Sequence, residues 1–452
     1  MKKWLMLILA LTLVVSVLAA CGGNTNDKSN SSGDKASNSS NSSSSTNTKD
    51  DAAKVDEKKE NITLRMAWWG GQPRHDYTLE IIDLYEKQNP HVTIEPEYAA
   101  WDDYWKKLAP QAAANELPDI VQMDLSFLAQ YGENQQLEDL TPYIGNEIDV
   151  TNIAQSIIDG GLLGNQIFGF NLGVNALGFQ YDPALLAKTG FELKDDWTWD
   201  DYMVFADKAK AAGLYVDTGM RAEVFFAYYL RTQGKSLFGD GTALGYEDDQ
   251  LFIDHFTRLA DVVKSGAGMT PDQKAQIKGP EDDPAVKGEA IGIWQWSNQF
   301  VGYQQVAARD LAMHPMPGPN MQQGLFLKPS MYFSISKNSK HKEEAAKFIS
   351  FFVNDIEANK LNLADRGVPG SSVVKEALKP LLSPQQAQVF DYIAWAESNS
   401  SQMDPPDPIG TAEVFAALTS VVEQLDYGQI NAVEAAKQFR EQANAILAKN
   451  KN

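Results

Sequence analysis

The chain has 452 residues, with 60 acidic against 39 basic side chains and a formal charge of −21. That balance argues against nucleic acid, and against direct adhesion to anionic lipid, as partners of the folded body. With one cysteine, Cys21, and five histidines at no ligand spacing, the sequence offers no disulfide, cysteine-zinc site or HExxH pair, and neither a cofactor nor a metal is expected.

The first twenty residues, "MKKWLMLILALTLVVSVLAA", join two lysines to an apolar run that ends in small residues. This is the layout of a secretory signal, too short and too one-sided in charge for a settled transmembrane span. Leu18-Ala19-Ala20-Cys21 resembles a bacterial lipobox. The resemblance implies cleavage before Cys21 and its lipidation, which anchors a chain to a membrane without spanning it. Ordinary secretory cleavage beside an incidental cysteine is the alternative. From Gly22 to about residue 60 the chain is Ser, Asn, Asp and Lys, too polar to offset the entropy of ordering it. As a flexible tether it reaches roughly 35 Å.

The remainder is longer than one hydrophobic core usually supports, so two lobes are expected. Ile62, Leu64, Met66 and Trp68 alternate with other residues at the period of a half-buried strand. A Trp-Gly corner follows. Tyr77, Ile81, Leu84 and Tyr85 then recur at helical spacing from a start near Asp76 to Asn89-Pro90. "HVTIEPEY" reads as a second strand, Trp105, Leu108, Ala109 and Ala112 line the next helix, and "LPDIVQM" is a third strand. Strand and helix in alternation predict an α/β body with a parallel sheet. Further helices are expected near 200–212, 223–233, 251–264, 341–354, 374–380, 385–400, 411–425 and 431–448, and strands near 168–172, 176–180, 290–294 and 331–336. Ligands of open α/β sheets bind beyond the carboxyl ends of the strands, which makes Trp68–Asp76 a candidate ligand wall. The alternative is that an indole there is core and the glycines merely turn the chain.

Catalytic signatures are missing. There is no GxSxG elbow, Walker loop or GxGxxG in strand–helix context, and "GGLLGNQ" at 160–166 reads as a turn. A glycosidase carboxylate pair is not ruled out by counting, but no carboxylate sits in a context that singles it out. The expectation is a protein that is not an enzyme. A surface-tethered glycan-degrading enzyme and a binder of a non-sugar solute, such as a peptide, are the alternatives.

In chain order the lipobox, the polar tether, "ITLRMAWWG", "LYEKQNPHVTI", "WDDYWKKLA", "LPDIVQMD", "LEDLTPYI", "GVNALGFQYDPALL", "TWDDYMVFADK", "KGEAIGIWQWSN" and "KNSKHKEEAAKFISFFV" resemble the family 1 extracellular solute-binding proteins. These serve ATP-driven carbohydrate importers. Each motif is loose alone; their order over essentially the whole mature chain is specific. The resemblance implies a type II periplasmic-binding-protein-like fold, two α/β lobes joined by a multi-crossing hinge. It places 61–172 plus 322–372 in the N-terminal lobe and 173–321 plus 373–452 in the C-terminal lobe. The first crossing falls in "GFNLGVNAL", where Gly169, Gly173 and Asn175 suit a bending segment. The implied protein is a monomeric receptor on the outer face of a Gram-positive cytoplasmic membrane, passing an oligosaccharide to ABC permease subunits.

A pyranose offers an apolar face to indoles and a ring of hydroxyls to carboxylates, amides and arginines. Matched to the family's segments, Trp294 and Trp296 in "GIWQWSN" are expected to stack on sugar from the C-terminal lobe, with Ser297 beside them. On a strand, one of the two indoles is expected to be core. From the other lobe, Trp69, Gly70, Arg74 and His75 match the first ligand loop, and Trp101 and Asp102 the next strand end. Asp124 lies just past the third strand, with a helix cap at Ser126 as its alternative role. Asn175, Tyr332 and Arg366 complete the set, a surface salt bridge being the alternative for Arg366; Glu223 and Phe225 match poorly. The Arg74-His75 pair departs from the maltodextrin-binding pattern and suits an anionic, uronate-containing oligosaccharide. The alternative is that Arg74 caps carbonyls or pairs with Asp76.

Overall fold

The computed structural model describes residues 60–277 and 279–450, without the side chain of Asp102. The signal, Cys21 and the tether lie outside the described residues. Strand β1 (Ile62–Trp69) runs parallel to β2 (Val92–Ala99), in register from Ile62↔Val92 to Trp69↔Ala99, and to β3 (Ile120–Met123). Helices α1 (Gln72–Gln88) and α2 (Trp101–Ala113) form the crossovers. The crossover helices cover the parallel sheet, so the later residues of β1 are buried on both faces and the sequence alternation fades into a fully buried run.

α1 begins at Gln72, ahead of the expected Asp76. Pro73 explains the difference: its fixed φ suits the first helical turn, where no N–H is needed. Arg74 and His75 are therefore helical residues with set directions and not parts of a free loop.

The hairpin β4 (Leu162–Leu163) and β5 (Gln166–Ile167) turns over the "GGLLGNQ" glycines, with Gly164 at φ +62°. β6 (Phe170–Asn171) then joins the first sheet beside β13 (Tyr332–Ile335), which is antiparallel to both β3 and β6. The order is β2-β1-β3-β13-β6. The second sheet has the order β11-β8-β10-β9, from β8 (Leu177–Tyr181), β9 (Tyr215–Asp217), β10 (Ala290–Trp296) and β11 (Ala312–His314). β10 is antiparallel to β8 and parallel to β9.

Between the sheets lies a small ladder. β7 (Val174–Asn175) pairs antiparallel with β12 (Lys328–Pro329), and Val174 also exchanges both backbone hydrogen bonds with Val368, at 2.9 and 3.2 Å. Three chain segments thus run side by side where the polypeptide passes from one sheet to the other. Their closeness demands glycine. A Cβ on Gly173 would stand 2.4 Å from the Arg366 carbonyl oxygen, and Gly367 holds φ +94°. Both sheets belong to one compact unit.

The second sheet packs on an aromatic core that includes Phe179, Trp197, Tyr202, Phe205, Phe225 and Trp294. His255 is enclosed by the rings of Phe226, Tyr229, Phe256 and Trp199, and neither ring nitrogen has a partner among the described residues. Burial first, then the charge of Arg258, holds its pKa down at about 3. Below pH 6.5 the unfolded chain takes up a proton that the folded chain refuses, so stability falls as pH falls. From pH 6.5 to 5 the loss from this group is about 2 kcal/mol. Urea titrations of wild type and His255→Phe should show a shallower acid slope in the variant; parallel slopes would contradict the assignment.

Candidate functional site

Three elements converge where the sheets meet. Asp124 follows β3 at its carboxyl end and caps helix α3 (Leu125–Glu133), its Oδ1 accepting from the Ser126 backbone N–H at 2.9 Å. The capping role foreseen for Asp124 is thus present. Trp296 is the last residue of β10, half-buried, and its ring meets Phe326 edge-on at 5.7 Å. Lys328, on β12, places its ammonium 5.5 Å from the centre of the Trp296 ring. Burial draws the Lys328 pKa below its ordinary value, while the carboxylates of Asp124 and Asp407 pull it back upward. Asn175 is the cross-strand partner of Lys328, so both side chains leave the same face of the ladder. Asn175 is 4 % exposed, and its Oδ1 has no partner among the described residues.

A second aromatic cluster lies at the carboxyl end of β2. Trp101 opens α2 at the carboxyl end of β2 and is 41 % exposed. Trp69 meets it edge-on at 4.9 Å, and Trp105, stacked on Phe127 at 3.9 Å, backs it at 5.5 Å. Trp69, by contrast, is 7 % exposed, enclosed by Trp101, Tyr104 and Trp105. It supports the outward indole and does not itself form the surface. Gly70 follows, where a Cβ would strike the Arg74 side chain at 2.6 Å. The Asp102 side chain lies outside the described residues.

Several expected ligand residues are committed elsewhere. Trp294 is 3 % exposed, donates its indole N–H to Asp217 Oδ2 at 2.8 Å and stacks on Trp197 at 5.8 Å. Residues two apart on a strand share a face, so alternation does not separate Trp294 from Trp296. Position along β10 does: Trp294 lies within the sheet, Trp296 at its end. Trp69 and Trp294 consequently sit in two different cores and do not face a common gap. Ser297 is fully buried, its Oγ accepting from the Ala176 N–H at 3.2 Å. Tyr332 donates to the Gly160 carbonyl at 2.7 Å inside the first sheet.

Arg366 is fully buried and far from a surface salt bridge. Its guanidinium donates to Gln122 Oε1 at 3.3 and 3.2 Å, to Thr78 Oγ1 at 3.1 Å and to the Tyr77 hydroxyl. Burial lowers its pKa to about 10. Arg74 pairs with Asp365 at 2.7 Å, not with Asp76. His75 accepts the Trp68 indole N–H at 3.1 Å and stacks on Tyr98 at 4.3 Å, and burial lowers its pKa. Trp68 itself is fully buried.

Other groups around Trp296 went unforeseen: Lys328, Phe326 and the irregular segment 399–410, which carries Asp404 and Asp407. Arg231 pins that segment, pairing with Asp404, donating to the Gln402 carbonyl at 2.7 Å and lying over Phe326 at 5.1 Å. Asp407 is open to solvent yet walled in enough that burial, then Asp404, pushes its pKa up to about 6 against the pull of Lys328. A lone lysine set among apolar residues in "LFLKPS", and the rigid acidic run "MDPPDP", were the available signals. Among the described residues no group of His, Cys, Asp or Glu is arranged to hold a metal ion, and no helix is long and apolar enough to cross a membrane.

Residues 71–358 match the model of the bacterial extracellular solute-binding protein family. A family 1 extracellular solute-binding protein from Alicyclobacillus acidocaldarius superposes with a TM-score of 0.77 at 26 % identity, over 87 % of this chain and all of that one. A periplasmic oligogalacturonide-binding protein from Yersinia enterocolitica gives 0.74 at 23 % identity, over 86 % of this chain and all of its own. The arabinooligosaccharide-binding protein of Bacillus subtilis is 21 % identical over 65 % of this chain and 70 % of its own length. The fold is therefore the two-lobed α/β arrangement of periplasmic binding proteins, in a family that binds substrates for ABC importers and does not convert them. The chain belongs to the family 1 extracellular solute-binding proteins.

Proposed function

We propose that this protein is a lipid-anchored surface receptor that captures a neutral oligosaccharide between its lobes and delivers it to an ABC permease. The lobes are 61–172 plus 322–372 and 173–321 plus 373–452, with the hinge at the β7–β12 ladder. Cys21 carries the anchor, on the outer face of a Gram-positive cytoplasmic membrane, and the receptor works as a monomer. One observation carries this reading: an ammonium on the ladder between the sheets lies over an indole at the end of the second sheet and feels a carboxylate at the end of the first. Such a set offers a sugar one apolar face and both donors and acceptors. Trp101 supplies the facing platform, and closure lets both walls touch one ligand, which gives the closed form its differential affinity.

A neutral ligand is preferred here to the uronate-containing one suggested by Arg74 and His75, because Asp365 holds the arginine and burial lowers the imidazole pKa. Each cation nearby already has a carboxylate: Arg221 pairs with Glu223, Arg231 with Asp404, and Lys328 faces two. Calorimetry with arabinotriose, maltotriose and digalacturonic acid tests the reading. A neutral trisaccharide should bind with micromolar affinity, about −8 kcal/mol, and Trp101→Ala should weaken it about tenfold or more. Product release from these sugars would instead favour a glycan-degrading enzyme.

A further inference from the structure

Two polar groups stand opposite each other on the β7–β12 ladder, and one of them, the Asn175 amide, is incomplete. Lys328 interacts with Asp124 and Asp407 through space, without a hydrogen bond to either. Beside it, the Asn175 amide oxygen is buried with no donor among the described residues. A buried amide oxygen costs free energy while it lacks a donor, and the half-buried Lys328 ammonium can exchange its solvent for a ligand oxygen. Neither the Trp296 ring nor the ladder backbone supplies those groups. A hydroxyl does: its oxygen accepts from an ammonium while its proton goes to a carboxylate or amide oxygen.

We propose that Lys328, Asn175, Asp124 and Asp407 form a hydroxyl-reading notch in the floor of the gap, with Lys328 as its specificity-determining residue. The inference rests on the reading of the gap as a sugar site and adds which part of the sugar is read there. Lys328 donates to one hydroxyl oxygen of a pyranose or furanose whose apolar face lies on Trp296. Asp124, from the first sheet, and Asp407, from the segment 399–410, accept protons of that hydroxyl and its neighbour. Asn175 takes a further donor. Asp124 and Asp407 set two carboxylates against the Lys328 ammonium, and Arg221, the other cation acting there, is held by Glu223, so a ligand carboxylate is disfavoured at this subsite. Specificity arises partly by exclusion.

Titration calorimetry of the protein and of Lys328→Met, Asp407→Asn and Trp101→Ala, with maltotriose, arabinotriose and digalacturonic acid, tests this. Methionine keeps the apolar stem on Trp296 and removes the charge. Lys328→Met should bind the preferred neutral trisaccharide about 10- to 100-fold more weakly, the range for a lost charge-assisted hydrogen bond. Asp407→Asn, on a solvent-facing segment, should weaken neutral binding less and narrow the margin by which digalacturonic acid is rejected. If Trp101→Ala weakens neutral binding while Lys328→Met and Asp407→Asn leave it within twofold, the sugar site stands and the notch is overturned. If the protein prefers digalacturonic acid and Lys328→Met abolishes that preference, Lys328 is an anion anchor, which overturns the exclusion. If no saccharide binds, both the site and the notch are overturned.

Discussion

Replacing Arg366 by alanine should destabilise the protein by about 3–5 kcal/mol, among the largest losses available to a single substitution. The side chain is fully buried, and its guanidinium lies 5.0 Å from the Tyr77 ring centre and 5.1 Å from that of Phe352. Removing it opens a cavity and leaves Gln122 Oε1 without its donor, while the Thr78 and Tyr77 hydroxyls lose one bond each and keep those they donate to the Arg74 carbonyl and Asp365, so transfer, cavity and desolvation terms add. Lysine should fail nearly as badly, because a point charge on a flexible stem cannot fork to three partners. Methionine should recover part of the loss by filling the space without carrying a charge into the core. The neighbouring Asp365→Asn should cost less than Arg366→Ala, since its pair with Arg74 is partly exposed and asparagine still accepts from Tyr77. Equilibrium urea unfolding decides this; near-wild-type stability of Arg366→Ala would restore a ligand role for the residue.

Trp294→Ala carries the second large expectation: about 3–5 kcal/mol lost in stability. Phe179 at 4.6 Å, Trp197 at 5.8 Å and Phe225 at 5.5 Å surround the indole, and Asp217 loses one of its donors, keeping the Tyr202 hydroxyl at 2.6 Å. Trp294→Phe should retain most of the packing and cost about 1–2 kcal/mol for the absent N–H. The contrast with Trp101 is diagnostic. An exposed indole on a helix start should matter little to unfolding and greatly to affinity, and Trp294 the reverse. An affinity loss in Trp294→Phe at unchanged stability would contradict the core assignment.

The lobe built on β1, β2 and β3 was readable because period-2 and helical patterns announce those elements directly, and ordered motifs pointed to the family. Side-chain direction at the site was less readable. Arg74 looked like a ligand group because the sequence does not show that Asp365, nearly three hundred residues later, returns beside it. Arg366 looked superficial because polarity suggests exposure, whereas here three polar partners and two phenylalanine faces make its burial tolerable. The pair Trp294 and Trp296 share a strand and a face, so only the end of β10 tells them apart. Lys328 and Asp407 escaped notice for a different reason. A two-residue strand and an irregular segment have no period, and their meaning comes from what the fold sets opposite them.

A crystal structure with the neutral trisaccharide that binds most tightly tests the central claim most directly. The account predicts one sugar ring against Trp296, its hydroxyls within 3.2 Å of Lys328 Nζ and of an Asp124 or Asp407 oxygen. It also predicts that the ligand bridges to the Trp101 side of the gap. A sugar seated in the Arg74–Asp365 corner, or on the outer face of either sheet with the gap holding only solvent, would contradict it.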